Sequence, residues 1–148
     1  MNVTYSAAVA ADGDAIARIM SDWHDEVRWM PRLHAQVENL DVGQWLIEVT
    51  DVSVVRANGA VIGFLARQGR DIQALFIAPR ARGQGVGRGL LALAKQTSAR
   101  LGLWTFQANR RARRFYARNG FVADQMTDGR GNDARLPDVH MIWARSRT

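Results

Sequence analysis

The sequence predicts an α/β domain, a mixed central sheet of about seven strands carrying four helices. Three observations lead there. Apolar residues recur at i, i+3, i+4 and i+7 in several stretches, as they do on the buried face of a helix. Between those stretches lie short apolar runs bounded by turn residues, the pattern of buried strands. Finally, a helical stretch separates the runs at 72–78 and 103–107, so these two strands can lie parallel in one sheet through a right-handed crossover.

Residues 3–9 read as the first strand, closed by Ala11-Asp12-Gly13-Asp14, where an aspartate can cap the helix that follows. Ile16, Ile19, Met20 and Trp23 give that helix its core-facing stripe. The period then breaks from Trp23 to His34, and Pro31 interrupts or restarts the helix. This stretch holds two tryptophans, two histidines and two acids, which could line an acceptor pocket or simply pack as a loop against the core. A second helix is expected over about 35–48, with Val37, Leu40, Val42, Trp45 and Leu46 as its apolar set.

From Asp51 the pattern turns to strands: 52–57, a hairpin turn at Asn58-Gly59, 61–67, a second turn at Gly69-Arg70-Asp71, and 72–78. A glycine-rich turn follows, and a helix is expected from Gly85 to about Arg100. Next come a buried strand at 103–107 and a helix capped by Asn109 and ended at Gly120, a residue suited to the left-handed conformation. Strands at about 121–126 and 139–144 complete the chain, joined by a polar, glycine-containing excursion over 127–136.

At 148 residues the chain is expected to be one domain with a core of its own. Cysteine is absent, which excludes disulfides, cysteine nucleophiles and thiolate metal sites. The N-terminus carries no basic region followed by an apolar run, and no apolar stretch approaches bilayer length, so no membrane partner is expected and the protein is expected to be cytoplasmic. The net charge of +6 invites a nucleic-acid partner. Against that, 20 basic residues include Lys95 as the sole lysine, and no RNP pattern, finger spacing or basic tail accompanies them. His24, His34 and His140 lack ligand spacing, so no metal is expected.

Chemistry concentrates where the 72–78 strand enters the glycine turn. Free amides at the start of the following helix, the positive end of its dipole and glycines that admit close backbone approach suit phosphate oxygens. Arg82 adds a charge at the rim. A tight connection without a ligand would use the same glycines. The spacing is narrower than that alternative requires: Arg82-x-x-Gly85-x-Gly87 lacks the lysine and hydroxyl of a P-loop and does not open a run of βαβ units. It resembles the acyl-CoA pyrophosphate motif of the GNAT superfamily of acyl-CoA-dependent N-acyltransferases. Asn109-x-x-Ala112-x-x-Phe115-Tyr116-x-x-x-Gly120-Phe121 matches a second stretch of that family at every spacing, and the order of strands and helices is similar throughout the chain. Thr127-Asp128-Gly129 and Leu136-Pro137-Asp138-Val139 look like a bacterial branch of it.

The resemblance implies the GNAT fold, with the sheet splayed between strands four and five, and acetyl-CoA as cosubstrate without a metal. Parallel neighbours open a crevice at their C-terminal ends, where ligands of such sheets bind. Pantetheine would run along Phe76 and Ile77, and the pyrophosphate would lie on the amides of Arg82, Gly83, Gln84, Gly85, Val86, Gly87 and Arg88. Asn109, Ala112 and Phe115 would complete the cofactor wall. The arginines at 110, 111, 113, 114 and 118 could meet the 3′-phosphate or merely solvate a face.

Acetyl transfer to an amine needs a neutral amine, a donor for the carbonyl oxygen and a proton for the departing thiolate. Tyr116 stands at the position of the family's acid, and its ordinary pKa of about 10 suits a thiol leaving group; the alternative is a core tyrosine. An amide near Phe76 or Ile77 would serve the oxygen. Many relatives carry a carboxylate on the fourth strand, and residues 73–78 contain none. Glu26 is expected as the base, with His24, His34, Asp71 or a water chain as alternatives. Trp23, His24, Trp29 and His34 are expected to line the acceptor pocket for a small-molecule or peptide amine. A CoA-binding module without catalysis and an acetyltransferase for a nucleic-acid-linked amine are the rival readings. An exposed final strand could pair two copies in a homodimer.

Overall fold

A computed structural model describes residues 2–27 and 38–145. The elements are β1 (Val3–Ala7), a 3-10 turn (Ala10–Asp12), α1 (Gly13–Glu26), α2 (Glu38–Val49), β2 (Asp51–Ala57), β3 (Ala60–Gln68), β4 (Asp71–Ile77), a second 3-10 turn (Pro79–Ala81), α3 (Val86–Gln96), β5 (Arg100–Phe106), α4 (Arg110–Arg118), β6 (Val122–Met126) and β7 (Asp138–Ala144). Among the described residues the strands form one seven-stranded sheet in the order β1-β2-β3-β4-β5-β7-β6. Every neighbouring pair is antiparallel except β4 with β5. The expected mixed sheet, four helices and parallel pair are all present.

Strand alternation sorts the core into two layers. Val55, Leu65, Leu101, Leu103, Val139 and Met141 face α3 and α4, where Leu90, Leu91, Ala94, Tyr116 and Phe121 pack on them. Val52, Val54, Phe64 and Ala66 face the other way, toward Ile16 and Ile19 of α1 and Leu46 of α2. α1 lies over β3 and β4, and α2 over β2. Among the described residues that second layer covers the first half of the sheet. On the same face beyond β4, Trp104 stays 49% exposed.

The pair at the centre positions the site. β4 and β5 are bonded only at Asp71↔Gly102 and Ile72↔Leu103, and Gly102 N–H donates to the Arg70 carbonyl at 2.9 Å. Beyond Ile72 the strands part, while β4 stays paired to β3 through Ile77. The splay therefore opens toward the C-terminal ends of both strands.

Three local expectations need correction, and a fourth lies outside the described residues. Neither aspartate supplies the side-chain cap of α1; the Asp12 carboxylate instead accepts the Val9 N–H at 2.9 Å and a bond from Arg56 at 2.7 Å. α3 stops at Gln96, four residues early, because Arg67 binds the Ala94 carbonyl and Arg145 the Lys95 carbonyl, drawing the chain into β5 at Arg100. α2 is described from Glu38, so the expected start at 35 lies outside the described residues. The last strand is not an edge: β7 lies between β5 and β6, and β6 is the edge strand at that end of the sheet.

Candidate active site

The glycine corner has the backbone the sequence asks for. Gly83 and Gly85 take φ of 75° and 82°, the left-handed region that glycine enters without a Cβ penalty. No neighbouring atom lies within 4 Å of where a Cβ would stand at either, so the loop surface is open to a ligand. Gly85 is the N-cap of α3, and the amides of Val86, Gly87 and Arg88 that follow have no carbonyl a turn behind them. Gly87 is closed in a different way: a Cβ there would stand 3.1 Å from the Phe115 ring, so α3 and α4 approach closely through it. These features fit the pyrophosphate the resemblance implies.

A cleft of about 2320 Å³ runs from this corner into the splay. It touches Arg82, Gly83, Gly85, Val86, Gly87 and Arg88 at one end, Phe76 and Ile77 along β4, and Asn109, Ala112, Phe115 and Tyr116 on α4. Ala78 N–H donates to the Ile62 carbonyl at 2.8 Å, so strand alternation turns the Ile77 N–H away from β3 and into the splay. Ile77 is thus the better placed of the two amides expected to face a carbonyl oxygen.

Asn109 caps α4, its Oδ1 accepting the Ala112 N–H at 3.1 Å, which fixes the first turn beside the cleft. Tyr116, one turn further, is buried among Phe115 and Phe121, whose rings stand 5.3 and 5.5 Å from its own. Burial pushes its phenol well above the ordinary tyrosine value, because the phenolate would lose its water. It is therefore held protonated.

On the other wall Trp23 meets Phe76 edge to face at 5.5 Å, and His24 packs against Trp23 at 5.0 Å; both line the cleft. Trp29 and His34 lie outside the described residues. Glu26, at the end of α1, receives both Arg82 guanidinium nitrogens, one at 3.1 Å. Chiefly through that bond, its carboxyl is held below the usual carboxylate range, with Arg82 and Arg111 adding charge. So two expected site residues hold each other, and Glu26 is a weak proton acceptor while they do. Gln84 bends back, its Nε2 donating to the Arg80 carbonyl at 3.2 Å, and it can offer a ligand its backbone.

Sequence reasoning missed the wall beyond β5. Asn132 and Asp138 line the cleft together with Trp104, Thr105 and Phe106. Gln107 ties this wall together, its Nε2 bonding the Thr127 and Asp138 carbonyls at 3.0 Å each. The available signal was an acid opening the last strand directly after Pro137, at the end of a polar excursion. Among the described residues no three His, Asp or Glu side chains gather as a metal site, and no helix is long and apolar enough to cross a membrane.

Comparison with known proteins bears on this geometry. A model of the acetyltransferase (GNAT) domain matches residues 47–123. The chain is 35% identical over 88 residues to the peptidyl-lysine N-acetyltransferase YiaC of Escherichia coli, a match spanning 58% of each protein. Among solved structures, apo YjaB from Escherichia coli superposes with a TM-score of 0.82 at 21% identity, covering 99% of this chain and 100% of that one. The yncA protein of Salmonella typhimurium, solved with its cofactor acetyl-CoA, gives 0.72 at 20% identity over 100% and 96%. At these identities the structural likenesses establish the fold.

Proposed function

Because the chain belongs to the acetyltransferase (GNAT) domain family, we propose that it is an acetyl-CoA-dependent N-acetyltransferase acting on a primary amine of a small molecule or peptide by direct attack on the thioester. The observation that carries the reading is the continuous cleft that joins the open glycine corner to the β4–β5 splay, with a buried, protonated tyrosine in its wall. The acetyl-CoA of the yncA structure supports the cosubstrate, and the lysine substrate in YiaC's name supports an amine acceptor.

The residues divide the work. Amides from Gly83 to Arg88 and the Arg82 guanidinium hold the pyrophosphate, drawing Arg82 from Glu26. Phe76, Ile77, Asn109, Ala112 and Phe115 flank the pantetheine. The Ile77 amide donates to the thioester oxygen, which gains negative charge as the amine adds. A C–N bond forms and the C–S bond breaks; the amine gives up one proton and the thiolate takes one. Tyr116 supplies the proton to sulfur. Glu26, released from Arg82 by the pyrophosphate, accepts the proton from nitrogen. Trp23 and His24 border the acceptor.

Thiol release from acetyl-CoA across a panel of amines, polyamines, amino acids and short peptides tests this, and the cysteine-free chain adds no protein thiols to the background. Turnover on one acceptor class, with a loss of about 10²–10⁴-fold in Tyr116→Phe, is expected. Tight acetyl-CoA binding with no turnover on any amine would favour a CoA-binding module instead.

A further inference from the structure

The cleft is lined by basic groups at its cofactor end, among them Arg82, Arg88, Arg110 and Arg111. Two carboxylates reach it among the described residues, Glu26 and Asp138. Glu26 is bound by Arg82. Asp138 differs in kind: its Oδ1 accepts from the Thr127 hydroxyl and its Oδ2 from the Asn132 amide at 3.2 Å, both neutral donors. Among the described residues no Lys or Arg forms an ion pair with it. Its carboxylate is therefore fixed in position with no basic partner among the described residues, on the wall of a cleft whose other charges are mostly positive.

Register places it. Asp138 pairs with Phe106 and His140 with Trp104 across β5 and β7, while Val139 and Met141 turn to the α3 and α4 core. Asp138, Phe106 and Trp104 thus share the sheet face that α1 and α2 leave uncovered, and all three line the cleft. Phe106 is the last residue of β5, on the strand that parts from β4 at the splay. A carboxylate that shares a sheet face with two aromatic side chains, Phe106 and the Trp104 that packs on His140 at 4.9 Å, matches an alkylammonium: the charge bonds to oxygen and the adjoining methylenes lie against apolar rings. A carboxylate holds about four acceptor positions, and two are used, so two remain for N–H donors.

We propose that Asp138 is the acceptor anchor: it binds the incoming amine in its ammonium form, which gives one proton to solvent before the neutral amine attacks and loses its second as the amide forms, and so selects cationic alkylamines, lysine side chains included, over neutral acceptors of the same shape. This inference rests on the acetyltransferase reading for its biological use, and its test is independent of turnover.

The probes are an N-acetylated glycyl-lysyl-glycine amide and its norleucine counterpart, with hexylamine and hexanol as a smaller pair, titrated calorimetrically into the protein saturated with CoA. The wild type is expected to bind the ammonium member of at least one pair more than tenfold tighter than the neutral member. Asp138→Asn is expected to remove that preference, and Thr127→Val, which loosens the wall while keeping the charge, to retain it. Equal binding of both members by the wild type, binding of neither pair, or a preference that survives in Asp138→Asn would overturn the proposal. Thiol release on the same amines separates the two readings. Charge discrimination without acetyl transfer would sink the enzyme and leave the anchor, whereas transfer with an unchanged KM in Asp138→Asn would do the reverse.

Discussion

Tyr116 shows how burial sets the chemistry of a single side chain. The phenolate is disfavoured in its apolar surroundings, so the group keeps its proton beyond its ordinary value of about 10. Under the proposed role the limb on which activity falls through loss of the acid moves to more alkaline pH. The kcat profile should accordingly show no fall assignable to Tyr116 up to about pH 10; a limb near pH 8 that Tyr116→Phe abolishes would contradict it. Glu26 makes a second prediction. In the proposed site the pyrophosphate competes with its carboxylate for Arg82, so Glu26→Gln should bind acetyl-CoA roughly two- to fivefold tighter in a direct titration, as befits an exposed pair, while turnover falls.

Asp12 supplies the third prediction at this scale. Desolvation alone would raise its carboxyl, but the Arg56 bond and the Val9 amide outweigh it, and the net direction is down. A depressed folded-state value means that the contribution to stability is complete above the unfolded value of about 3.9 and is lost as pH falls through the folded one. Asp12→Asn should cost about 1–3 kcal/mol at neutral pH, read by urea unfolding, and should flatten the acid limb of stability. The Asn109 cap was legible in the sequence because it follows from position at the start of one helix, whereas Tyr116 was singled out through the family resemblance and its burial came with the structure. Asp138 was not legible, because its surroundings are assembled by the register of β5 with β7 and by Thr127 and Asn132 across a turn.

At the scale of elements, the corner before α3 carries the account. That α3 opens at Gly85 was readable, since the helical period begins directly after the glycine-rich turn; the left-handed φ of Gly85, which glycine takes readily, came with the structure. Gly85→Ala should lower stability by about 1–2 kcal/mol and weaken acetyl-CoA binding further than that loss explains, measured by chemical denaturation and direct titration of the folded variant. The other end of α3 was not readable. The helical period runs on through Thr97, but Arg67 from β3 and Arg145 after β7 claim the final carbonyls, and residues so distant in sequence leave no local trace. The same holds for β7, whose insertion between β5 and β6 is a matter of sheet order rather than of any one strand's composition.

For the whole molecule, the splay is the feature from which the proposed function follows. Two helix layers of unequal reach leave one face of β5 and β7 uncovered by the described helices, and the parting of β4 from β5 connects that face to the glycine corner. The parallel pair and its crossover were legible from the alternation of strand and helix, as was the corner that follows β4. What the sequence could not convey is how soon the strands separate, after only two bonded positions, because that depends on β4 holding its register with β3. The central claim is that this cleft seats acetyl-CoA, cofactor phosphates on the corner and thioester in the splay. Titrating the isotope-labelled protein with acetyl-CoA while following backbone amide resonances tests it directly. The largest shifts are predicted at Gly83, Gln84, Gly85, Val86 and Gly87 and at Ile77, with the amides of β1 unmoved. Saturable shifts confined to the outer face of α4, with the Gly83–Gly87 and Ile77 amides silent, would contradict the account.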